Sequence, residues 1–184
     1  MKVSPHRSWN PRRFDARAFA EAGGVLESED SLASFDRLSA EIHADGEVGA
    51  LVRWSVQGEI RPDAAGQSSV WMRLRAALDL PVGCQRCLGP VVVPLEVDRW
   101  FRFVADESTA EAEDDQSEED VLALEPKPDL LALIEDELLM AMPLVPMHDV
   151  CPQPLLLSAG TVNGDEAASE VRPNPFATLS RLKK

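Results

Sequence analysis

No apolar run in this 184-residue chain approaches the roughly 20 residues that carry a helix across a membrane, which excludes helical spans. The start, Met1-Lys2-Val3 followed by polar residues, lacks the apolar core of a secretion signal, so the expected location is the cytoplasm. Cysteines number only three, an odd count with one close pair, which fits thiols or a metal better than a disulfide framework. There is no phosphate-cradling glycine loop, no Ser–His–Asp ordering and no carboxylate pair in a defined setting. His6 and His43 have no nucleophile or acid pattern nearby. Nothing here argues for catalysis or for a small-molecule substrate. Basic residues are missing from 105–126, which holds ten acidic ones.

That last absence explains the balance of charge. The net charge is −14, so the chain as a whole has no attraction for phosphate backbones. Without 105–126 the rest is close to balanced, and the acidity belongs to one segment. The segment is also poor in apolar residues that would offset the entropy of ordering, so a long, mobile, disordered acidic loop is expected there. Such a run is a solvated stretch or a mimic of nucleic acid that meets a basic protein.

What is present is alternation. In 69–80, Val70, Met72, Leu74, Ala76, Leu78 and Leu80 share one side, and Trp71, Arg73, Arg75, Ala77 and Asp79 the other. Val91, Val93, Leu95 and Val97 continue an apolar face to Phe101 and Phe103. Period two over this length predicts half-buried strands. Pro81, Gly83, Gly89 and Pro90 mark the turn between them, so Cys84-Gln85-Arg86-Cys87 lies at the tip of a long antiparallel hairpin. Arg99 breaks the apolar parity and predicts a bulge or an edge. A further strand is predicted over 48–60, joined to the hairpin through a turn at 61–66. The fold class is α+β, with an antiparallel, barrel-like β-meander and a few helices packed on it.

The helices follow from caps and spacing. Asp15 caps 16–22, which Gly23-Gly24 stops, and Trp9, Pro11, Arg12 and Arg13 before it read as a tail that docks. Val25 and Leu26 suggest a short strand. Ser31 caps a second helix bearing Leu32, Phe35 and Leu38. Asp129 caps 130–142, whose stripe is Leu130, Leu133, Ile134, Leu138 and Ala141, with Glu135 and Asp136 facing away and Glu137 at the stripe's edge. An extended, proline-stiffened stretch follows at 143–152. Asn174 and Pro175 open a short basic terminal helix at 174–184. Three parts result: a tail with a helix (1–24), the α+β domain (25–152, with its acidic loop at 105–126), and a linker with the terminal helix (153–184).

Two clusters could carry function. Cys84 and Cys87 sit on a knuckle between strands, as in zinc ribbons, and His148 and Cys151 would complete four ligands. The bland alternative makes the cysteines small packing residues at a turn, or remnants of a site this branch has lost. A redox role fits less well, because a strand follows the pair and Gly89-Pro90 blocks a helix. On the polar side of the hairpin, Trp71, Arg73, Arg75, Trp100 and Arg102, with Arg86 at the tip, could form an aromatic, basic surface for RNA or another partner. The alternative has helices cover the tryptophans and acidic neighbours pair the arginines.

Taken in order, four segments are specific as a set. They are Cys84-Gln85-Arg86-Cys87-Leu88; Asp129-Leu130-Leu131 with Glu135-Asp136-Glu137-Leu138-Leu139; Pro143-Leu144-Val145-Pro146-Met147-His148; and Pro173-Asn174-Pro175-Phe176-Ala177. With them the chain resembles the YceD family, the large ribosomal RNA subunit accumulation proteins, in its proteobacterial branch. The resemblance runs from about residue 25 to the C-terminus. It implies a non-enzymatic role in the synthesis or accumulation of large-subunit (23S) ribosomal RNA; from the residues themselves, the hairpin face would bind ribosomal RNA or the acidic loop a basic ribosomal protein. Some other branches carry a second cysteine pair after the helix, where this chain has His148 and Cys151. The competing reading is a zinc-stabilised interaction module with no ribosomal link.

Overall fold

A computed structural model describes residues 9–46, 49–62 and 68–152. Five strands form one open sheet in the order β1-β2-β3-β4-β5, where β1 is Val25–Ser31, β2 Leu51–Pro62, β3 Ser68–Gly83, β4 Pro90–Val104 and β5 Asp120–Ala123. All pairings are antiparallel except β4 with β5. The sheet is not closed, which corrects the barrel-like expectation: β1 and β5 stand at opposite edges and do not pair. The α+β class stands. No helix of the described residues is long and apolar enough to cross a membrane.

The alternation read from the sequence decides which face is buried. Val52, Trp54 and Val56 of β2, the six even-numbered apolar residues from Val70 to Leu80, and Leu95, Val97, Phe101 and Phe103 of β4 are all buried on one face. Three helices cover that face: α1 (Ala16–Glu21), α2 (Asp36–Ala40) and α4 (Leu130–Met140). Phe14, Phe19, Leu32, Phe35, Leu38, Leu130, Ile134 and Leu138 complete the core. β1 is longer than Val25 and Leu26 suggested. Ser31 caps the short turn Leu32–Ser34, accepting from the Ala33 amide, before α2 begins. Arg99 marks no bulge, since β3 and β4 stay in one register from Val70↔Phe103 to Gly83↔Pro90. It does mark an edge, because β5 pairs with β4 only from Phe101 onward.

Two carboxylates of α4 are buried, one of them, Glu135, against its expected outward placement. Glu135 is buried and accepts from the Arg37 and Leu38 amides at 2.7 and 3.2 Å and from Arg37 Nε at 3.0 Å. It thereby caps α2, whose own N-cap, Phe35, has no side-chain acceptor. Glu137 is also buried, and burial pushes its carboxyl up although Arg99 lies 3.9 Å away. Asp136 is exposed as expected, whereas Ala141 lies beyond the helix and is exposed.

The acidic segment is ordered, against expectation. It forms α3 (Glu107–Asp114) and β5. Asp106 caps α3 by accepting from the Thr109 amide at 2.9 Å, and Glu107 in the first turn suits the positive end of the helix dipole. Asp114 accepts from the Val121 amide, while Ala110 and Val121 are buried. Charge from β4 supplies what apolar area does not. Arg102 binds Glu113, Glu119 and Ser117 at 2.6, 2.6 and 2.9 Å, and Arg99 binds Asp120. The predicted terminal helix at 174–184 and its linker lie outside the described residues, as does Val48.

Phe19 sets how closely α1 approaches the sheet. Its ring meets Trp9 edge-on at 5.1 Å and Phe14 at 4.9 Å, so the N-terminal tail docks there. A Cβ at Gly58 would stand 2.5 Å from Phe19 Cδ1 and 2.9 Å from Ala20 Cα. The second contact is with backbone and cannot swing away. Gly58→Ala is therefore expected to cost about 1–3 kcal/mol through overpacking. Thermal melting would read this as a lower Tm, at about 2–4 °C per kcal/mol; an unchanged Tm would show that α1 is not held this tightly.

Candidate metal centre and the open sheet face

The unbroken β3–β4 register delivers the cysteines to the hairpin tip. Cys84 N–H donates to Gly89 O and Leu88 N–H to Cys84 O, both at 2.8 Å, and Leu88 takes a positive φ of 61° to close the turn. His43 Nε2 lies 2.9 Å from Leu88 O and braces the tip from below. The stretch after α4, 143–150, returns as a strap. Pro146 is buried and its carbonyl accepts from the Gln85 amide at 2.9 Å. His148 Nε2 lies 2.9 Å from Pro90 O. With that nitrogen donating, Nδ1 keeps a lone pair facing Cys87 Sγ at 3.5 Å.

Cys84, Cys87, His148 and Cys151 thus converge, with ligand atoms all within 4.8 Å of one another. Tetrahedral zinc with sulfur at about 2.3 Å and nitrogen at about 2.0 Å sets ligand–ligand edges of roughly 3.6 Å. The Cys87–His148 edge already has that length, and the group could hold a metal ion after small rotations. Burial raises the Cys84 thiol, but the amides of Cys87, His148 and Arg86 and the His148 ring outweigh it and lower its pKa to about 5. Burial, together with hydrogen bonds to Cys87 and Cys84, pushes the Cys151 thiol up. A lowered thiol is also what an oxidoreductase needs. Here it arises from turn amides rather than a helix N-terminus, and the thiol itself is buried.

The other candidate cluster lies on the face that helices α1, α2 and α4 leave uncovered. Register pairs Trp71 with Arg102, Arg73 with Trp100 and Arg75 with Asp98, so five of the six predicted residues share this surface. Arg86 does not join them; it is exposed at the tip beside Met147 Sδ. Trp71 and Trp100 meet edge-on at 6.4 Å and are half-buried. Arg61, missed because it was read as turn, lies over Trp100 at 3.8 Å and Trp71 at 4.6 Å. Its place at the odd parity of β2, beyond the assumed strand end, was the available signal.

The arginines of this face are engaged. Arg73 binds both oxygens of Asp98 at 2.7 Å, and Arg75 lies 3.3 Å from one of them. The Arg73 guanidinium holds the Asp98 carboxyl below the usual carboxylate range despite partial burial. Arg102 is claimed by the α3 segment, and Glu27, Glu29 and Glu96 lie on neighbouring strands of the same face. The acidic neighbours expected as the alternative are there; among the described residues α1, α2 and α4 lie on the opposite face and do not cover the tryptophans.

An α+β protein built on a thiol-tipped β-ribbon with a histidine-bearing strap is the class so defined. The chain matches the family model described as large ribosomal RNA subunit accumulation protein YceD over residues 72–183, and it belongs to that family. It is also similar to the large ribosomal RNA subunit accumulation protein YceD of Haemophilus influenzae, 33% identical over 120 residues, which cover 64% of this chain and 68% of that relative. No solved structure matches it.

The grip of Arg102 on α3 is open to test. Arg102→Ala is expected to speed amide exchange across 107–123 by about tenfold or more while β2 and β3 keep their protection. Equal protection in the variant would mean that Ala110 and Val121 alone order the segment.

Proposed function

We propose that this chain supports accumulation of large-subunit ribosomal RNA as a non-catalytic factor in the cytoplasm that binds a basic ribosomal protein. Family membership carries the first part. The observation that carries the second is the engagement of Arg73, Arg75 and Arg102 by carboxylates, which leaves little free positive charge for a phosphate backbone. A net charge of −14 then favours a cationic partner through both attraction and encounter rate. In this reading Cys84, Cys87, His148 and Cys151 bind zinc. Four protein ligands leave no open position for water, so the ion would staple the strap to the ribbon and carry out no hydrolysis.

One observation favours RNA as the direct partner: the Arg61–Trp71–Trp100 stack resembles surfaces on which bases pile. Crosslinking in cells, followed by identification of the attached RNA and protein, separates the readings. A large-subunit ribosomal protein is the expected adduct. Ribosomal RNA crosslinked at Trp71 or Trp100, with affinity falling steeply with salt, would replace the protein partner by RNA. Adducts without any ribosomal component would leave a zinc-stabilised module with another role.

A further inference from the structure

Antiparallel pairing makes backbone groups alternate between the two sides of a strand. In the β3–β4 ribbon Cys84 N–H donates to Gly89 O, so odd-numbered residues of β4 bond to β3. Even-numbered ones face the other way, as Val104 does in accepting from Leu124 N–H beside β5. Pro94, which has no N–H, falls on the outward parity, where none is needed for the ribbon. β5 pairs only with Phe101 to Val104, and His148 closes the far end at Pro90 O. Between these stops, over 92–100, the outward amides and carbonyls of β4 meet no strand among the described residues. That opening is about 30 Å long at ~3.4 Å per residue.

Beside it runs a cavity of about 770 Å³ between 91–94 of β4 and the strap. Its rim is apolar and exposed: Val92 at 61%, Val145 at 54% and Val150 at 84%. Apolar side chains next to an unpaired hydrogen-bonding edge are what strand addition uses, with the backbone giving affinity and the pockets giving specificity.

We propose that the open edge of β4, with the strap beside it, docks an extended basic peptide segment as an added strand. Charge identifies the occupant. Glu96 stands on this edge without an ion pair among the described residues, and Asp149 lies on the strap, while Arg86 lines the cavity only at its tip end. A second copy of this chain paired about this part of the edge would set Glu96 near its own counterpart, which like-charge repulsion disfavours. Lysines or arginines at alternate positions of an incoming strand would instead face Glu96, and the apolar residues between them would lie on the other face, beside Val91 and Val93. RNA cannot supply the alternating amide donors and carbonyl acceptors. This inference rests on the proposed basic protein partner and names where and in what form it is held.

The test uses the full chain and a synthetic peptide, Lys-Val-Lys-Val-Lys-Val-Lys, with amide exchange followed by NMR. The peptide is expected to slow exchange at Val92, Glu96 and Asp98 by about tenfold or more. Its backbone N-methylated form, its Glu-Val counterpart and a uridine oligomer should not. The substitution Glu96→Lys should weaken the peptide by about tenfold while the melting temperature stays put. Failure of the peptide to bind, binding without protection of these three amides, equal binding of the N-methylated form, or protection by the uridine oligomer would overturn the proposal. A Glu96→Lys chain that still captures its ribosomal protein undiminished would move the docking site elsewhere and leave the function standing.

Discussion

The pairing of β3 with β4 constrains everything else in this molecule. One register runs unbroken from Val70↔Phe103 to Gly83↔Pro90. Because side chains alternate along a strand, a slip of one residue would send Met72, Leu74 and Leu78 to the open face and Trp71, Arg73 and Arg75 into the core. The same register carries Cys84 and Cys87 to the tip, sets Arg73 opposite Trp100, and leaves the outer backbone of β4 without a strand over 92–100 among the described residues. The thiol cluster, the engaged arginines and the open edge are three consequences of one ladder.

Electrostatics does in this fold some of what apolar burial does elsewhere. The segment after β4 has little to bury beyond Ala110 and Val121, yet Arg99 and Arg102 recruit Asp120, Glu113 and Glu119 to it. Arg102 is only 16% exposed, so its two ion pairs are worth more than pairs in open water, though its own desolvation offsets part of the gain. Glu135 serves likewise at the other side of the sheet, where a side chain from α4 caps α2. In both places a charge distant in sequence completes what a local segment lacks.

This explains which parts could be read beforehand. β2, β3, β4 and the caps Asp15, Ser31 and Asp129 were legible because period two and side-chain capping are local signals. The four residues of the thiol cluster were legible too, since few cysteines and histidines exist and their types limit what they do. The order of 105–126 was not: composition there speaks for disorder, and the arginines that oppose it sit on another element. Glu135 was misplaced for the same reason, because helical spacing says which face a residue occupies but not that a second helix will end above it. Arg61 was lost at a strand boundary, where sequence signals are weakest.

The proposed metal would join the strap to the ribbon that the β3–β4 register builds, since Cys84 and Cys87 lie at the ribbon's tip and His148 and Cys151 follow α4. X-ray absorption at the zinc edge of the untagged, full chain tests it most directly. Three sulfur ligands at about 2.3 Å and one nitrogen at about 2.0 Å are predicted, at one ion per chain. A shell dominated by oxygen, a coordination unchanged when Cys151 and His148 are both replaced by serine, or protein purified without metal that keeps its strap protected from exchange would contradict it.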